Sequence, residues 1–181
     1  MKRRVVITGL GVVAPGGIGK TAFWNNVKDG ISSTALVTQF ESEGMSTGMA
    51  AEVATFDPRD FLGARSAMRM DRSAHFALVA AMMAYEDAHL IVDPVTSKRT
   101  GVFEGTALGG LNATLARHRE YLAAPELRLN PMTLLKGMSG NASSIIAMEF
   151  HLHGPAITFS NGCVSSSYAF GHGFRKIQHG N

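Results

Sequence analysis

The segment Ala156–Gly180 reads AITFSNGCVSSSYAFGHGFRKIQHG, and it decides the predicted fold. Its first five residues form a short apolar run that is typical of a strand. Residues 164–178 have the length of a helix, with two cations in the last turns, where they stabilise the negative end of the helix dipole, and Gly180 as a stop. The segment therefore predicts a strand that passes directly into a helix, with Cys163 at the junction.

The same alternation of strand and helix patterns runs through the rest of the chain. Residues 73–90 are apolar on nearly every side over the middle two turns, which is typical of a helix buried within a larger protein. The predicted strands are a buried one at 5–7, a short one near 51–53, and 100–107; the predicted helices are 21–27 with Thr21 as N-cap and Gly30 as stop, 73–90, 111–124 and 143–150. Strands alternating with helices indicate an α/β layered fold on a largely parallel sheet.

The length and composition are those of a globular chain. With 181 residues, the chain corresponds to about one domain. Hydrophobic residues make up 45% and charged residues 17%, and no apolar run approaches the roughly 18 residues that cross a bilayer, which argues against a disordered or membrane-spanning protein. The net charge of +3 is too small for a nucleic-acid-binding surface. We therefore expect neither nucleic acid nor membrane as a partner.

The first residues superficially resemble a secretory signal, because Lys2, Arg3 and Arg4 precede an apolar stretch. However, residues 5–7 are β-branched, glycines interrupt the stretch, and no Ala-x-Ala cleavage pattern follows. The single cysteine also excludes an internal disulfide and fits a reducing compartment. We therefore predict a buried strand here and a cytoplasmic protein.

Cys163 is the strongest candidate for chemistry. The backbone N–H groups and the positive end of the dipole at a helix N-terminus stabilise a thiolate, which is the active nucleophile. The same N–H groups can form half of an oxyanion hole. Gly162 permits a tight turn, and three serines after the cysteine leave room for a long substrate arm. The alternative is a buried structural cysteine, which composition alone favours.

Three other patterns have weaker chemical interpretations. Residues 14–21, APGGIGKT, nearly fit the phosphate-binding loop G-x-x-x-x-G-K-T, but Ala14 replaces its first glycine. Neither the predicted strand at 100–107 nor the one that begins at 156 supplies a magnesium-holding aspartate. His151 and His153 lack the further ligands of a metal site. His172 is too far along the helix from Cys163 to act as its base. We expect a glycine-rich turn, no metal site, and a packing role for His172.

Arg65, Arg69 and Arg72 form a local basic group that only Asp71 opposes. A solvated helix start is the default interpretation of such a group. The alternative is a docking surface for an acidic carrier protein, whose contacts would weaken as the salt concentration rises.

Four segments, in this order, carry a family resemblance: KRRVVITGLGVVAPGG (2–17), FLGARSAMRMDRSAHF (61–76), GTALGG (105–110) and HGPAITFSNGCVSSS (153–167). Together they resemble the N-terminal half of a β-ketoacyl synthase, the condensing enzyme of fatty-acid and polyketide assembly. The resemblance implies a thiolase-like fold of layered helices around a mixed, mainly parallel sheet. It also implies a β-ketoacyl synthase N-terminal domain over residues 1–181, a homo- or heterodimer, and no metal or other cofactor.

The resemblance implies a reaction and a set of site residues as well. In the family, the cysteine at the position of Cys163 holds an acyl group as a thioester. A malonyl unit on acyl carrier protein then decarboxylates, and the resulting carbanion attacks the thioester. By position, Leu108 resembles the apolar residue that gates the acyl pocket, and Met132 and Thr133 resemble the dimer-side pocket wall. The three arginines fall where family members receive the carrier protein.

The sequence departs from the family in two respects. Fatty-acid enzymes usually have Thr-Ala-Cys at the nucleophile, whereas this chain has Asn161-Gly162-Cys163, closer to the Gly-Cys of polyketide ketosynthases, so the pathway stays open. The chain also ends at Asn181, before the two histidines, the lysine and the second oxyanion-hole donor of the family. We therefore expect a fragment or one half of a split enzyme, inactive until a complementary half covers its apolar surface. The alternative is a non-condensing partner subunit that shapes an acyl tunnel and docks carrier protein.

Overall fold

The computed structural model describes residues 3–126, 128 and 130–180. Contacts divide the described residues into two compact units. The first lies within 1–7, 64–78 and 91–181, and the second comprises 8–63 and 79–90. Within the described ranges, no helix combines the length and the apolar character that crossing a bilayer requires.

Short strands and longer helices alternate along the chain, and the structure has the α/β class that the sequence predicts. The elements, in order, are β1 Val13–Ala14, β2 Gly17–Ile18, α1 Lys20–Lys28, β3 Thr34–Leu36, β4 Met49–Ala51, α2 Arg59–Ala67, α3 Arg72–Asp87, α4 Pro94–Arg99, β5 Val102–Gly105, α5 Leu111–Ala123, α6 Met132–Gly137, α7 Asn141–Glu149, β6 Ala156–Phe159, a 3-10 turn Gly162–Val164, and α8 Ser165–His179.

The first unit is organised around the parallel pair β5 and β6. Their register runs from Val102 opposite Ala156 to Gly105 opposite Phe159. A parallel pair needs a long crossover, and α5, α6 and α7 supply it. Both α7 and α8 pack on the two strands. The result is a layer of helix, sheet and helix.

Side chains alternate between the two faces of this pair, as the strand period of two requires. Phe103 and Phe159 face α8, where both aromatic rings contact the His172 ring, at centroid distances of 5.4 and 5.5 Å. Glu104 and Thr158 face α7, and both are hydrogen-bonded to Ser143. The face toward α8 is therefore apolar, and the face toward α7 carries a polar cluster.

Gly105 allows α8 to approach β5 closely. A Cβ atom at this position would lie 2.4 Å from the carbonyl carbon of Ser165 and from the backbone nitrogen of Ser166. Only a residue without a Cβ atom lets the first turn of α8 pack directly on the end of the strand. This contact fixes where the chain turns from β6 into α8.

In the second unit, glycines likewise allow an extended segment to approach a helix closely. Cβ atoms added at Gly9 and Gly11 would lie 2.2 and 1.8 Å from the carbonyl oxygens of Ala84 and Ala80. These glycines let the segment lie directly on the C-terminal half of α3. In the same unit, β1 pairs with β2 and β3 pairs with β4, both antiparallel.

The helix predicted at 73–90 is confirmed as α3, and it supplies the most buried side chains. Ala74 and Leu78 in the first unit are each 1% exposed, and Val79 in the second unit is also 1% exposed. The predicted strands at 100–107 and 156–160 are confirmed, as are the helices at 111–124, 143–150 and 164–178, each with slightly different ends. Gly180 ends α8 with a φ of 85°, as predicted.

Two predictions about local structure are wrong. Residues 5–7 form no strand, and Val6 and Ile7 are 58% and 66% exposed. A strand needs a neighbour for its hydrogen-bond ladder, and the described part of the chain offers none there. Thr21 does not cap α1, because the helix begins one residue earlier, with Gly19 at the N-cap in a conformation that suits glycine (φ 90°). The short strand predicted near 51–53 is confirmed with its ends shifted by two residues, at Met49–Ala51, where it pairs with β3.

The contact at Gly105 gives a testable prediction. We expect Gly105→Ala to lower the free energy of unfolding by about 1–3 kcal/mol, because the added carbon overlaps the backbone of α8. The matched control is Gly171→Ala, also in the first unit, where an added Cβ would meet nothing within 4 Å. Because Gly171 is a helical position with room for a Cβ atom, this variant should gain about 0.5–1 kcal/mol in the free energy of unfolding. Denaturant unfolding followed by circular dichroism measures both, and equal effects would contradict the prediction.

Candidate active site

Cys163 lies in the middle of the 3-10 turn between β6 and α8, and its thiol is free and exposed. The apolar run of β6 ends at Phe159, and α8 begins two residues after the cysteine. Because β5 and β6 are parallel, the turn lies at the edge where both strands end. The alternative of a buried structural cysteine does not describe this thiol.

Ser165 holds the turn in place. Its hydroxyl donates to the carbonyl oxygen of Gly162 at 2.7 Å and accepts the N–H of Asn161 at 2.8 Å, and the Ser165 side chain is buried. Gly162 has a φ of 65°, a conformation that favours glycine. From the sequence alone, the serines after Cys163 predict only room for a substrate arm. A serine at the start of a helix is a signal for a role in holding the turn, because its hydroxyl often bonds nearby backbone groups.

The electrostatic surroundings of the turn come from α8. The helix has no acidic residue in its first turn and carries Lys176 and His179 in its last turn. Its dipole therefore presents the positive end near Cys163 without a carboxylate on the helix to oppose it. Such an end stabilises a thiolate and an oxyanion next to it.

His172 does not serve as a base for Cys163. Its ring packs between Phe103 and Phe159, two and a half turns along α8 from the cysteine. The predicted packing role is confirmed. The aromatic contacts join α8 to both strands and hold the helix that follows Cys163.

Glu104 is a site residue that sequence analysis missed. Its Oε2 accepts the N–H of Ser143 and the hydroxyl of Thr158, both at 2.9 Å. Burial raises the pKa of the Glu104 carboxyl, the hydrogen bonds from Thr158 and Ser143 oppose that shift, and the nearby charge of Asp71 adds to it. The available signal was a carboxylate in the middle of an otherwise apolar strand.

Leu108 lies in the loop after β5, at the same edge of the sheet as Cys163. The Gly109 N–H bonds the Thr106 hydroxyl within this loop, at 3.1 Å. The Ser160 hydroxyl, which follows β6, donates to the Ala107 carbonyl at 3.3 Å. Leu108 itself is largely exposed. The structure therefore brings the loops of Leu108 and Cys163 together.

Met132 and Thr133, adjacent at the start of α6, line two separate clefts. Met132 lines a cleft of about 520 Å³ whose other lining residues are Ser66, Arg69, Met70, Leu78, Leu135, Asn141, Ile145, Met148 and Glu149. Thr133 lines one of about 390 Å³ with Thr114, Arg117, His118, Tyr121, Leu134, Gly137 and Met138. Cys163 is not among the lining residues of either cleft. Neither cleft therefore connects Met132 or Thr133 with Cys163.

The three arginines differ in their surroundings. Arg65 and Arg69 are exposed, whereas Arg72 is half-buried, with its guanidinium 4.8 Å from the centre of the Phe76 ring. Asp71 caps the start of α3, because its carboxylate accepts the N–H groups of Ser73 and Ala74, at 3.0 and 3.3 Å. Arg65 and Arg69 are thus the two cations of the group that present their charge to solvent.

The glycine-rich segment near residue 16 does not form a phosphate cradle. Ala14 pairs with Gly17 in the β1–β2 hairpin, which closes the loop. The ammonium group of Lys20 is bound by the Asp87 carboxylate rather than left to meet a phosphate. The glycine-rich turn that we expected is what the structure shows.

The chain is similar in sequence to known proteins over nearly its whole length. Residues 2–181 match the family model described as the β-ketoacyl synthase N-terminal domain. The chain is 31% identical over 179 residues to 3-oxoacyl-[acyl-carrier-protein] synthase 2 of Synechocystis sp., covering 99% of this chain and 43% of the relative. It is 32% identical over 178 residues to the Coxiella burnetii protein of the same name, covering 98% and 43%. It thus spans less than half the length of these curated relatives.

The solved structures agree with the sequence comparison. The ishigamide ketosynthase/chain length factor superposes with a TM-score of 0.85 at 29% sequence identity, covering 99% of this chain and 45% of that chain. A β-ketoacyl synthase from Burkholderia phymatum superposes with a TM-score of 0.79 at 25% identity, covering 99% and 44%.

Proposed function

Because residues 2–181 match its N-terminal domain model, the chain belongs to the β-ketoacyl synthase family, and we propose that it supplies the nucleophile Cys163 of a decarboxylative condensation in fatty-acid or polyketide synthesis. The resemblances support an N-terminal ketosynthase domain over residues 1–181. The observation that carries the proposal is the exposed thiol on a tight turn, at the N-terminal end of α8.

The reaction that we propose has two covalent steps. The Cys163 thiolate attacks the carbonyl carbon of an acyl thioester on acyl carrier protein; the new C–S bond forms, and the carrier leaves as its thiolate and takes up a proton. A malonyl group on a second carrier then loses CO₂, and the electron pair left on carbon attacks the Cys163 thioester. A C–C bond forms, and the Cys163 thiolate is released.

Within this chain, the α8 terminus stabilises the thiolate and the oxyanion that forms beside it. The exposed Leu108, on the loop tied to β6 through Ser160, is positioned to contact an acyl chain that enters at this edge of the sheet. Met132 and Thr133 form walls of clefts further along the chain, and we assign them to the acyl pocket of a dimer. We assign the steps that move protons and stabilise the carbanion to the proposed complementary ketosynthase half.

Acylation of Cys163 tests the nucleophile directly. With acyl-acyl carrier protein as donor and the complementary half supplied, we expect the intact mass of this chain to rise by one acyl group, and Cys163→Ala to show no increase, because the chain has one cysteine. Peptide mapping should place the group on Cys163. The proposal fails if the Ala variant is acylated equally, and unchanged product formation by that variant would instead favour a non-condensing subunit.

Arg65 and Arg69 are proposed to receive the acidic carrier protein, since both are exposed and carry charge of the complementary sign. Arg72 contributes less direct charge because it lies over the Phe76 ring.

We expect Arg65→Glu and Arg69→Glu each to weaken carrier binding by about 1 kcal/mol at low salt, and the loss to shrink as salt rises. The matched control is Arg59→Glu, at an exposed arginine bound to Asp57. Titration calorimetry at two salt concentrations measures the effect. If Arg59→Glu lowers the carrier affinity as much as Arg65→Glu and Arg69→Glu do, Arg65 and Arg69 do not form a specific docking site.

A complementary ketosynthase half or second subunit is proposed to cover the outer face of α8. Phe170, Phe174 and Ile177 follow helical spacing and are 64%, 39% and 50% exposed, whereas Ala169 on the other side of the helix is buried. A helix that is apolar on two sides is typical of the interior of a larger assembly. The partner would complete a homo- or heterodimer and supply the proton-handling groups.

Loss of this face should abolish assembly. We expect Phe170→Ser with Phe174→Ser to prevent co-purification with the C-terminal ketosynthase region and to reduce binding of a hydrophobic dye by this chain, because the apolar contact area is removed. The control is Arg175→Ser, an exposed residue of α8 outside the stripe. Assembly that persists in the double variant, with α8 intact by circular dichroism, would refute the assignment.

A further inference from the structure

The cluster around Glu104 joins three elements through one carboxylate oxygen. Glu104 lies in β5, Thr158 is its register partner in β6, and Ser143 is the third residue of α7. The hydroxyls of Ser143 and Thr158 are also 2.8 Å apart. The carboxylate is half-buried, so these bonds are sheltered from water.

Glu104 does for α7 what a local capping residue does for other helices. The N-cap position of α7 is Gly140, which has no side chain to accept an N–H. The N–H of Ser143 instead donates to a carboxylate 39 residues earlier in the chain. An acceptor of negative charge at this end of a helix is stabilising. The position of α7 on the sheet therefore depends on Glu104.

The same bonds fix the path of β6 toward Cys163. Thr158 donates to Glu104, and the chain reaches Cys163 five residues later. Gly105, the next residue after Glu104, lies against the backbone at the start of α8. The dipeptide Glu104–Gly105 thus holds Thr158 on one face of the sheet and the first turn of α8 on the other.

An apolar residue would suit this strand better than a carboxylate. The other positions of β5 are Val, Phe and Gly, and burial of a charged group is unfavourable unless it is hydrogen-bonded. Residues that break a local rule in this way are typical of functional sites.

We propose that Glu104 is a positioning residue for Cys163: through Thr158 and Ser143 it holds β6 and α7 against β5, so that the turn presents the thiol to an acyl group in one geometry. The choice of acylation as a measurement rests on the proposed function, whereas the positioning of the thiol does not. Glu104 itself does not contact the reacting atoms.

Two pairs of variants test the proposal in the protein as its natural gene produces it. Glu104→Leu and Thr158→Val remove the acceptor and the donor, and Glu104→Gln and Thr158→Ser keep them. We expect Glu104→Leu and Thr158→Val each to lower kcat for Cys163 acylation by roughly tenfold with little change in KM. Misplacement of a reacting group slows the chemical step and leaves substrate binding largely unchanged. The conservative variants should stay close to the wild type.

Two controls separate positioning from stability and from the proposed function. Glu126→Leu removes an exposed carboxylate and should leave kcat unchanged. The rate at which iodoacetamide alkylates Cys163 needs no acyl carrier, and we expect the same order of variants in it. If the protein is not acylated but the alkylation order holds, the proposed function fails and the positioning inference stands. If all four variants match the wild type in the acylation and alkylation rates per folded molecule, Glu104 has only a structural role and the inference is wrong. If Glu104→Leu does not fold, the same comparison is made with Thr158→Val.

Discussion

The close approach of the α8 backbone to β5 at Gly105 is the contact on which the rest of the site depends. Because no Cβ atom separates them, the first turn of α8 begins directly beside the end of the strand. The chain leaving β6 must therefore turn sharply, and Gly162 and Ser165 provide that turn. Cys163 is exposed because the turn leaves it at the edge of the sheet.

Because side chains alternate along β5 and β6, the two faces of the pair hold their helices by different interactions. Toward α8, Phe103 and Phe159 contact the His172 ring, so apolar packing fixes the helix that follows Cys163. Toward α7, Glu104 and Thr158 form directional hydrogen bonds instead. Packing sets the distance of one helix, and hydrogen bonds set the register of the other.

The chain carries the proposed nucleophile, Cys163, on the same unit as an exposed apolar surface. The stripe of Phe170, Phe174 and Ile177 lies on the same helix that presents its N-terminal end to Cys163. A partner that packs on this stripe would act on the helix that begins beside Cys163. Assembly and reactivity are therefore expected to be connected through α8.

The sequence by itself determined the α/β class, the central helix, and a cysteine between an apolar strand and a helix. These depend on local patterns: apolar runs, helical spacing, and glycines at turns. Only the tertiary structure decided that residues 5–7 form no strand, because a strand depends on its neighbour. It also decided that Glu104 caps α7 and that Met132 and Thr133 enter different clefts. Such contacts join residues 39 and 54 positions apart, and no local pattern encodes which distant groups the folded backbone brings within hydrogen-bond distance.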